Sequence, residues 1–181
     1  LKSHLQFPEE SLQCIDVGSG CGFPGIALAI AMPGIEITLV DSSIKKTIVL
    51  KDITKQIGIS SRVKIRAERI ETTGQNLLFR QKFDFAMARA VAPATVVAEY
   101  LVPLVKPKGV ALIYKGHWDN KEHELLNNAL LTLNAKFKQL QKSELPNNRG
   151  IRHVIRAEPQ GKCPGIFPRA IGIPRKNPLG T

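Results

Sequence analysis

Apolar positions in this chain gather into short runs separated by amphipathic stretches, the pattern of β/α units laid onto a parallel sheet. Leu12 to Val17 reads as a first strand ending at a glycine cluster, and Ile26 to Met32 as the helix after it, closed by Pro33-Gly34. Ile35 to Val40 makes a second strand ending at Asp41. Ser42 or Ser43 can cap the next helix, whose Ile44, Ile48, Ile53 and Ile57 fall on or near one face at 3.6-residue spacing, with Gly58 as its stop. Arg62 to Ile65 is a third strand and Phe83 to Ala88 a fourth, followed by a helix over Thr95 to Leu104. Pro107-Lys108-Gly109 turns into a fifth strand, Val110 to Tyr114, and Asn120 to Leu133 is helical by composition. Phe137 to Gln141 and Ile151 to Ala157 are expected to close the sheet as an antiparallel pair, because the turn between them is too short to cross over. Beyond Pro159, prolines at 164, 168, 174 and 178 exclude regular structure, so the last residues read as an extended basic arm.

At 181 residues the chain fits one domain with a sizeable core. No apolar run approaches the ~20 residues that span a bilayer, which excludes membrane insertion. Charge says more. Lys and Arg total 26 against 15 Asp and Glu, and the net of +11 suits a polyanionic partner whose counterions are released on binding. Residues 159–181 contribute Lys162, Arg169, Arg175 and Lys176 with no acid. Three cysteines without a CxxC pair point to a reducing cytoplasm and to no metal site. The chain begins at Leu1 with no leader before the first strand, as expected of a fragment or a processed form.

The strongest motif is Asp16-Val17-Gly18-Ser19-Gly20-Cys21-Gly22-Phe23-Pro24-Gly25. Glycines at a strand end let the chain turn sharply and a ligand approach the backbone. Residues 20–25 satisfy G-x-G-x-x-G, which alone does not separate a nicotinamide from S-adenosylmethionine. Two details favour S-adenosylmethionine. Asp16 stands two residues before Gly18, where a carboxylate suits an ammonium and a sulfonium but repels a pyrophosphate. A dinucleotide fingerprint would also begin two residues earlier. Asp41 stands about 20 residues past the first glycine, where an acid holds the ribose hydroxyls of either cofactor. Cys21 reads as a small packing residue in the loop.

With these residues in view, the run Asp16 to Ile26 and the run Thr38-Leu-Val-Asp-Ser-Ser-Ile-Lys-Lys46 resemble the RsmG (glucose-inhibited division protein B) family of bacterial 16S rRNA guanine-N7 methyltransferases. Arg66-Ala-Glu68, Ala88-Arg-Ala-Val-Ala-Pro93, Lys115-Gly116, Arg152-His-Val-Ile155 and the ending Phe167-Pro-Arg169 to Leu179 follow in the family's order. The resemblance implies a Rossmann-like class I methyltransferase fold, a mostly parallel seven-stranded sheet with helices on both faces. Residues 1–11 are then the remnant of a helical N-terminal segment, 12–158 the S-adenosylmethionine-binding domain and 159–181 a basic tail. It places Asp16, Gly18, Gly20, Gly22 and Phe23 along the cofactor, Asp41, Ser42 and Ser43 at its ribose, Ala67 and Glu68 at its adenine, and Arg89 in the active site. Glu68 has a plainer alternative, a solvated charge beside Arg69. The implied partner is 16S rRNA or the small ribosomal subunit, met by a cytoplasmic monomer.

The residues are compatible with that chemistry. Guanine N7 carries a free lone pair, so transfer is a matter of alignment and no strong general base is needed. After the fourth strand stands Ala88-Arg89-Ala90-Val91-Ala92-Pro93, not the Asn/Asp-Pro-Pro-aromatic motif of exocyclic-amine methylation, and no Pro-Cys nucleophile follows. Arg89, at the carboxyl edge, is the expected positioning residue, for a guanine O6, a phosphate or the carboxylate of the cofactor. Lys115, Arg152, Arg156, Arg169, Arg175 and Lys176 complete the expected RNA-binding set, while Trp118 reads as loop packing and His153 as part of the basic stripe. The rivals are a small-molecule methyltransferase, a nicotinamide-dependent oxidoreductase and a non-catalytic RNA-binding domain. The first predicts an apolar lid, the second a different glycine register, and the third tolerates loss of Asp16, Gly18 or Asp41.

Overall fold

A computed structural model describes residues 11–181; the expectation of an N-terminal remnant falls almost wholly outside the described residues. Seven strands form one sheet in the order β3-β2-β1-β4-β5-β7-β6. β1 (Leu12–Val17), β2 (Ile35–Asp41), β3 (Val63–Ala67), β4 (Phe83–Arg89) and β5 (Val105–Lys115) run parallel. β7 (Ile151–Pro159) pairs antiparallel with β5 and with β6 (Ala135–Glu144). Strand order reverses between β1 and β4, which opens a crevice at their carboxyl ends.

Helices cover the two faces in chain order. α1 (Gly25–Ala31) and α2 (Ile44–Gln56) pack on one face through Ile26, Ala29 and Leu50, which join Ile37, Leu39 and Met87 of the sheet. α3 (Ile70–Gln75), α4 (Ala94–Leu101) and α5 (Asn120–Thr132) pack on the other, around Ile15, Ala86 and Ile113. α4 is buried along its whole length, because the sheet, α3 and α5 surround it. Pro103 ends it, and Val102–Leu104 continues as a 3-10 turn.

Four expectations change. Of the expected face, Ile44 and Ile48 are exposed, as is Ile57 just past the end of α2, and Ile53 is half-buried against the core; the buried face is Thr47, Leu50 and Thr54. The threonines can be buried because their hydroxyls donate back to Ile44 O (2.9 Å) and Lys51 O (3.0 Å). α3 was not expected at all. Its six residues, one of them Gly74, are too few to show a helical period. Pro107-Lys108-Gly109 lies inside β5, as an irregularity in the pairing with β4 where Lys108 takes a φ of 70°. The residues after Pro159 are no extended arm. They fold back over α3 and α4, bury Cys163 and Phe167, and include the one-turn α6 (Ile173–Lys176). Proline and glycine forbid long elements there, but they leave a folded irregular strap open.

Candidate active site

The site begins with the loop after β1. Gly18, Gly20 and Gly22 all have positive φ. Gly18 N and Ser19 N donate to Val40 O (2.8 and 3.1 Å), which lays the loop across the end of β2. Asp41 then holds the loop from below. Its Oδ2 accepts from Gly20 N (2.9 Å) and its Oδ1 from Ser43 N (2.9 Å). Ser43 occupies the N-cap position of α2 without capping through its side chain, and its own amide is held by the Asp41 carboxylate. A Cβ at Gly18 would stand 2.6 Å from Val91 Cγ2, so only glycine lets the β4–α4 loop close over the β1 loop.

Asp16 lies beneath this loop, 1% exposed. Its Oδ2 accepts from Gly25 N at 3.0 Å, an approach that a side chain at Gly25 would block. Burial pushes the Asp16 carboxyl up to about 6, against the opposing pull of the Gly25 amide and the Arg89 charge. Burial, and after it the charge of the same carboxylate, raises the Tyr114 phenol.

A cavity of about 350 Å³ opens at the crevice, a volume within the ~300–1,000 Å³ range of small-molecule sites. Val17, Gly18, Val40, Asp41 and Ser42 form its floor, and Glu68, Arg69, Ile70 and Glu71 one side. Tyr100 lies beside Glu71, Ala90 and Val91 come from the β4–α4 loop, and Lys46 comes from α2. The outer wall is Ile171, Gly172 and Arg175 of the folded tail. Glu68 is not a loose solvated charge. Both its oxygens accept from Arg66 (2.7 and 3.0 Å), and Thr73 Oγ1 donates to Oε1 at 2.5 Å. The Arg66 bonds hold its carboxyl below the usual carboxylate range, and Arg66 in turn lies 4.2 Å over the Phe79 ring.

The structure therefore brings Gly18, Asp41, Ser42 and Glu68 together at one cavity; Asp16 is buried in β1 against Gly25 and does not line it. Gly20, Gly22 and Ser43 shape the loop and do not line the cavity, and Phe23 and Ala67 are exposed beside it. Cys21 is exposed and does not pack. Arg89 is exposed at the end of β4, near Asp16 on the α1 side of the crevice. The expected RNA-binding set divides. Arg89, Arg152, Arg175 and Lys176 are exposed, Arg175 also lining the cavity, and Arg156 is half-buried. Lys115 is paired with Glu122 at 2.6 Å, and His153 Nδ1 lies 3.1 Å from Gly116 O. Arg169 is not a free cation. It is locked on the fully buried Glu99 through its amide (2.8 Å), Nε (2.9 Å) and Nη2 (2.7 Å). Trp118 packs against the core and the edge of His123, as loop packing requires. Among the described residues, no group of three or more His, Cys, Asp or Glu is placed to hold a metal ion.

Glu71 and Tyr100 lie in the cavity wall and the sequence analysis did not single them out. The signal for Glu71 was weak, since it sits in the helix that escaped reading. Glu99 carried a clearer one: an acid in an otherwise apolar helical run needs a cation.

Solved structures share this fold. A mutant of the 16S rRNA (adenine(1408)-N(1))-methyltransferase from Catenulisporales acidiphilia superposes with a TM-score of 0.68 at 17% identity, covering 83% of this chain and 86% of that one. Geranyl diphosphate methyltransferase in complex with SAM gives a TM-score of 0.63 at 11% identity, covering 82% and 78%. Sequence relatives are far more similar. "Ribosomal RNA small subunit methyltransferase G" of Prochlorococcus marinus (strain NATL2A) is 56% identical over 180 residues, 99% of this chain and 73% of the relative. The protein of the same name from Synechococcus sp. (strain CC9902) is 49% identical over 181 residues, 100% of this chain and 74% of the relative. The profile described as "rRNA small subunit methyltransferase G" matches residues 2–155. With the glycine loop, Asp41 and the Ala88–Pro93 loop converging on one crevice of a methyltransferase fold, the chain belongs to the rRNA small subunit methyltransferase G family.

Proposed function

We propose that this chain transfers a methyl group from S-adenosylmethionine to N7 of a guanine in 16S rRNA. The observation that carries the reading is the cavity bounded by Gly18, Asp41 and Glu68 at the point where strand order reverses. The residues present fit the cofactor. Each oxygen of Asp41 uses one lone pair on a backbone amide and keeps another for a ribose hydroxyl. Glu68, ionised and fixed by Arg66, faces the adenine end. Ionised Asp16 places negative charge under the end that carries the ammonium and sulfonium. When bound, the cofactor supplies an electrophilic methyl group.

The remaining work falls to the protein's own groups. N7 needs no deprotonation, so the site has to hold the base in line and exclude water. Arg89 is placed for this at the carboxyl edge, exposed and without a hydrogen-bonded acid partner among the described residues, with donors for guanine O6 or a backbone phosphate. Arg152 and Lys176 offer further exposed charge to the rRNA backbone.

Labelled S-adenosylmethionine incubated with small-subunit particles or 16S rRNA lacking the modification tests the reading. Label that makes the RNA alkali-labile at one guanine supports it. Label confined to a small molecule contradicts it, as does transfer to another base.

A further inference from the structure

The last 22 residues were read as an arm for RNA, yet their backbone is gripped by side chains of the core. The Arg80 guanidinium donates to the carbonyls of Cys163 (2.8 Å), Pro164 (2.8 Å) and Phe167. Gln75 Nε2 donates to Pro168 O at 2.6 Å. Arg169 is paired with Glu99 and also donates to Asn177 O at 2.7 Å. Gly172 N donates to Glu71 Oε1 at 3.1 Å, and the Tyr100 hydroxyl donates to the same oxygen at 3.3 Å. An irregular segment with this many specific partners is a fixed strap.

What the strap holds in place is functional. It sets Ile171 and Gly172 on the cavity and holds the exposed Arg175 at its rim, where Nη2 donates to Val91 O at 2.7 Å and the charge faces the Tyr100 hydroxyl. Val91 is the residue that closes over Gly18. Strap, β4–α4 loop and glycine loop are thus linked across the mouth of one pocket.

We propose that the strap is the outer wall of the S-adenosylmethionine pocket, with Ile171 as a cofactor contact and Arg175 as a positioning residue that acts through Val91. The proposal rests on the cofactor reading given above and reassigns Arg175 from RNA binding to the cofactor pocket. Without the guanidinium, the Val91 carbonyl loses its donor and the loop over Gly18 is free to move, so cofactor affinity falls before any RNA is present.

Calorimetric titration of the full chain with S-adenosylmethionine, without RNA, tests this. Arg175→Ala is expected to bind about tenfold more weakly, the size of one lost hydrogen bond from a charged group. Arg175→Lys keeps a donor and is expected to recover most of that loss. Ile171→Ser, at a position 59% exposed and therefore tolerant of the change, is expected to lose about threefold even if Arg175→Ala fails to fold. Ile166→Ala, on an exposed part of the strap away from the cavity, is expected to bind as the unaltered chain does. Unchanged affinity in both Arg175→Ala and Ile171→Ser overturns the proposal. Unchanged affinity with lost transfer to rRNA in Arg175→Ala also overturns it and returns Arg175 to the RNA interface. Failure of the unaltered chain to bind S-adenosylmethionine would instead refute the cofactor reading beneath it.

Discussion

The two walls of the pocket are built by opposite means. The inner wall is backbone: glycines at positive φ, two amides bonded to the end of β2, and one aspartate holding two further amides. The outer wall is a proline-rich segment with little regular structure, held by long polar side chains rooted in α3, α4 and the loop after α3. The inner wall is rigid because its partners are sheet. The outer wall is rigid only while a few charged contacts persist, so its stability and its function are tied to the same residues.

Removing Arg169 should break the comparison hardest. Glu99 is fully buried, and Arg169→Ala leaves its charge unpaired, at a cost of about 3–5 kcal/mol in denaturant unfolding. Adding Glu99→Gln to that variant should recover part of the loss, because no buried charge is then left alone. If Arg169→Ala unfolds with the midpoint of the unaltered chain, the strap is not anchored as described. Next in size is Gly18→Ala, which must adopt a φ of 70° and meet Val91. Strain of about 1–3 kcal/mol is expected, together with a loss of S-adenosylmethionine affinity, measured by titration of the folded variant.

Acid should separate the walls more gently. The Asp16 carboxyl stands at about 6 in the fold against an ordinary 3.8, so the native state takes up a proton in that window. The contribution of this group to stability therefore falls as pH rises from about 4 to 6 and levels above it. Cofactor binding runs the other way, since a cationic ligand prefers the ionised acid. Affinity is expected to be about tenfold lower at pH 5 than at pH 7.5, and Asp16→Asn should flatten that profile. A profile unchanged by Asp16→Asn removes Asp16 from this role. The smallest effect belongs to α2. Ile48→Ser, on its exposed face, should change stability by less than ~0.5 kcal/mol in denaturant unfolding.

The same contrast decides what could be read from the chain. β1, β2 and the glycine loop announce themselves because their signals are local: an apolar run, then glycines, then an acid at the next strand end. The antiparallel β6–β7 closure followed from a turn too short to cross over. α2 misled because isoleucines at helical spacing look like a core face, while the threonines that occupy it satisfy their hydroxyls within the helix. The strap was misread because its determinants lie far from it in sequence: Glu99 is 70 positions from Arg169, and Glu71 is 101 from Gly172. Composition alone makes Arg169, Arg175 and Lys176 one basic cluster. The structure gives them three different surroundings, with Arg169 on Glu99, Arg175 exposed at the cavity rim and Lys176 exposed away from it.

Amide hydrogen exchange of the full chain, with and without saturating S-adenosylmethionine and without RNA, tests most directly whether the two walls enclose one ligand. The account predicts slower exchange on binding in two separate stretches, 18–43 around the glycine loop and Asp41, and 171–176 in the strap. Protection confined to 18–43, with the strap exchanging as it does in the free protein, would contradict it.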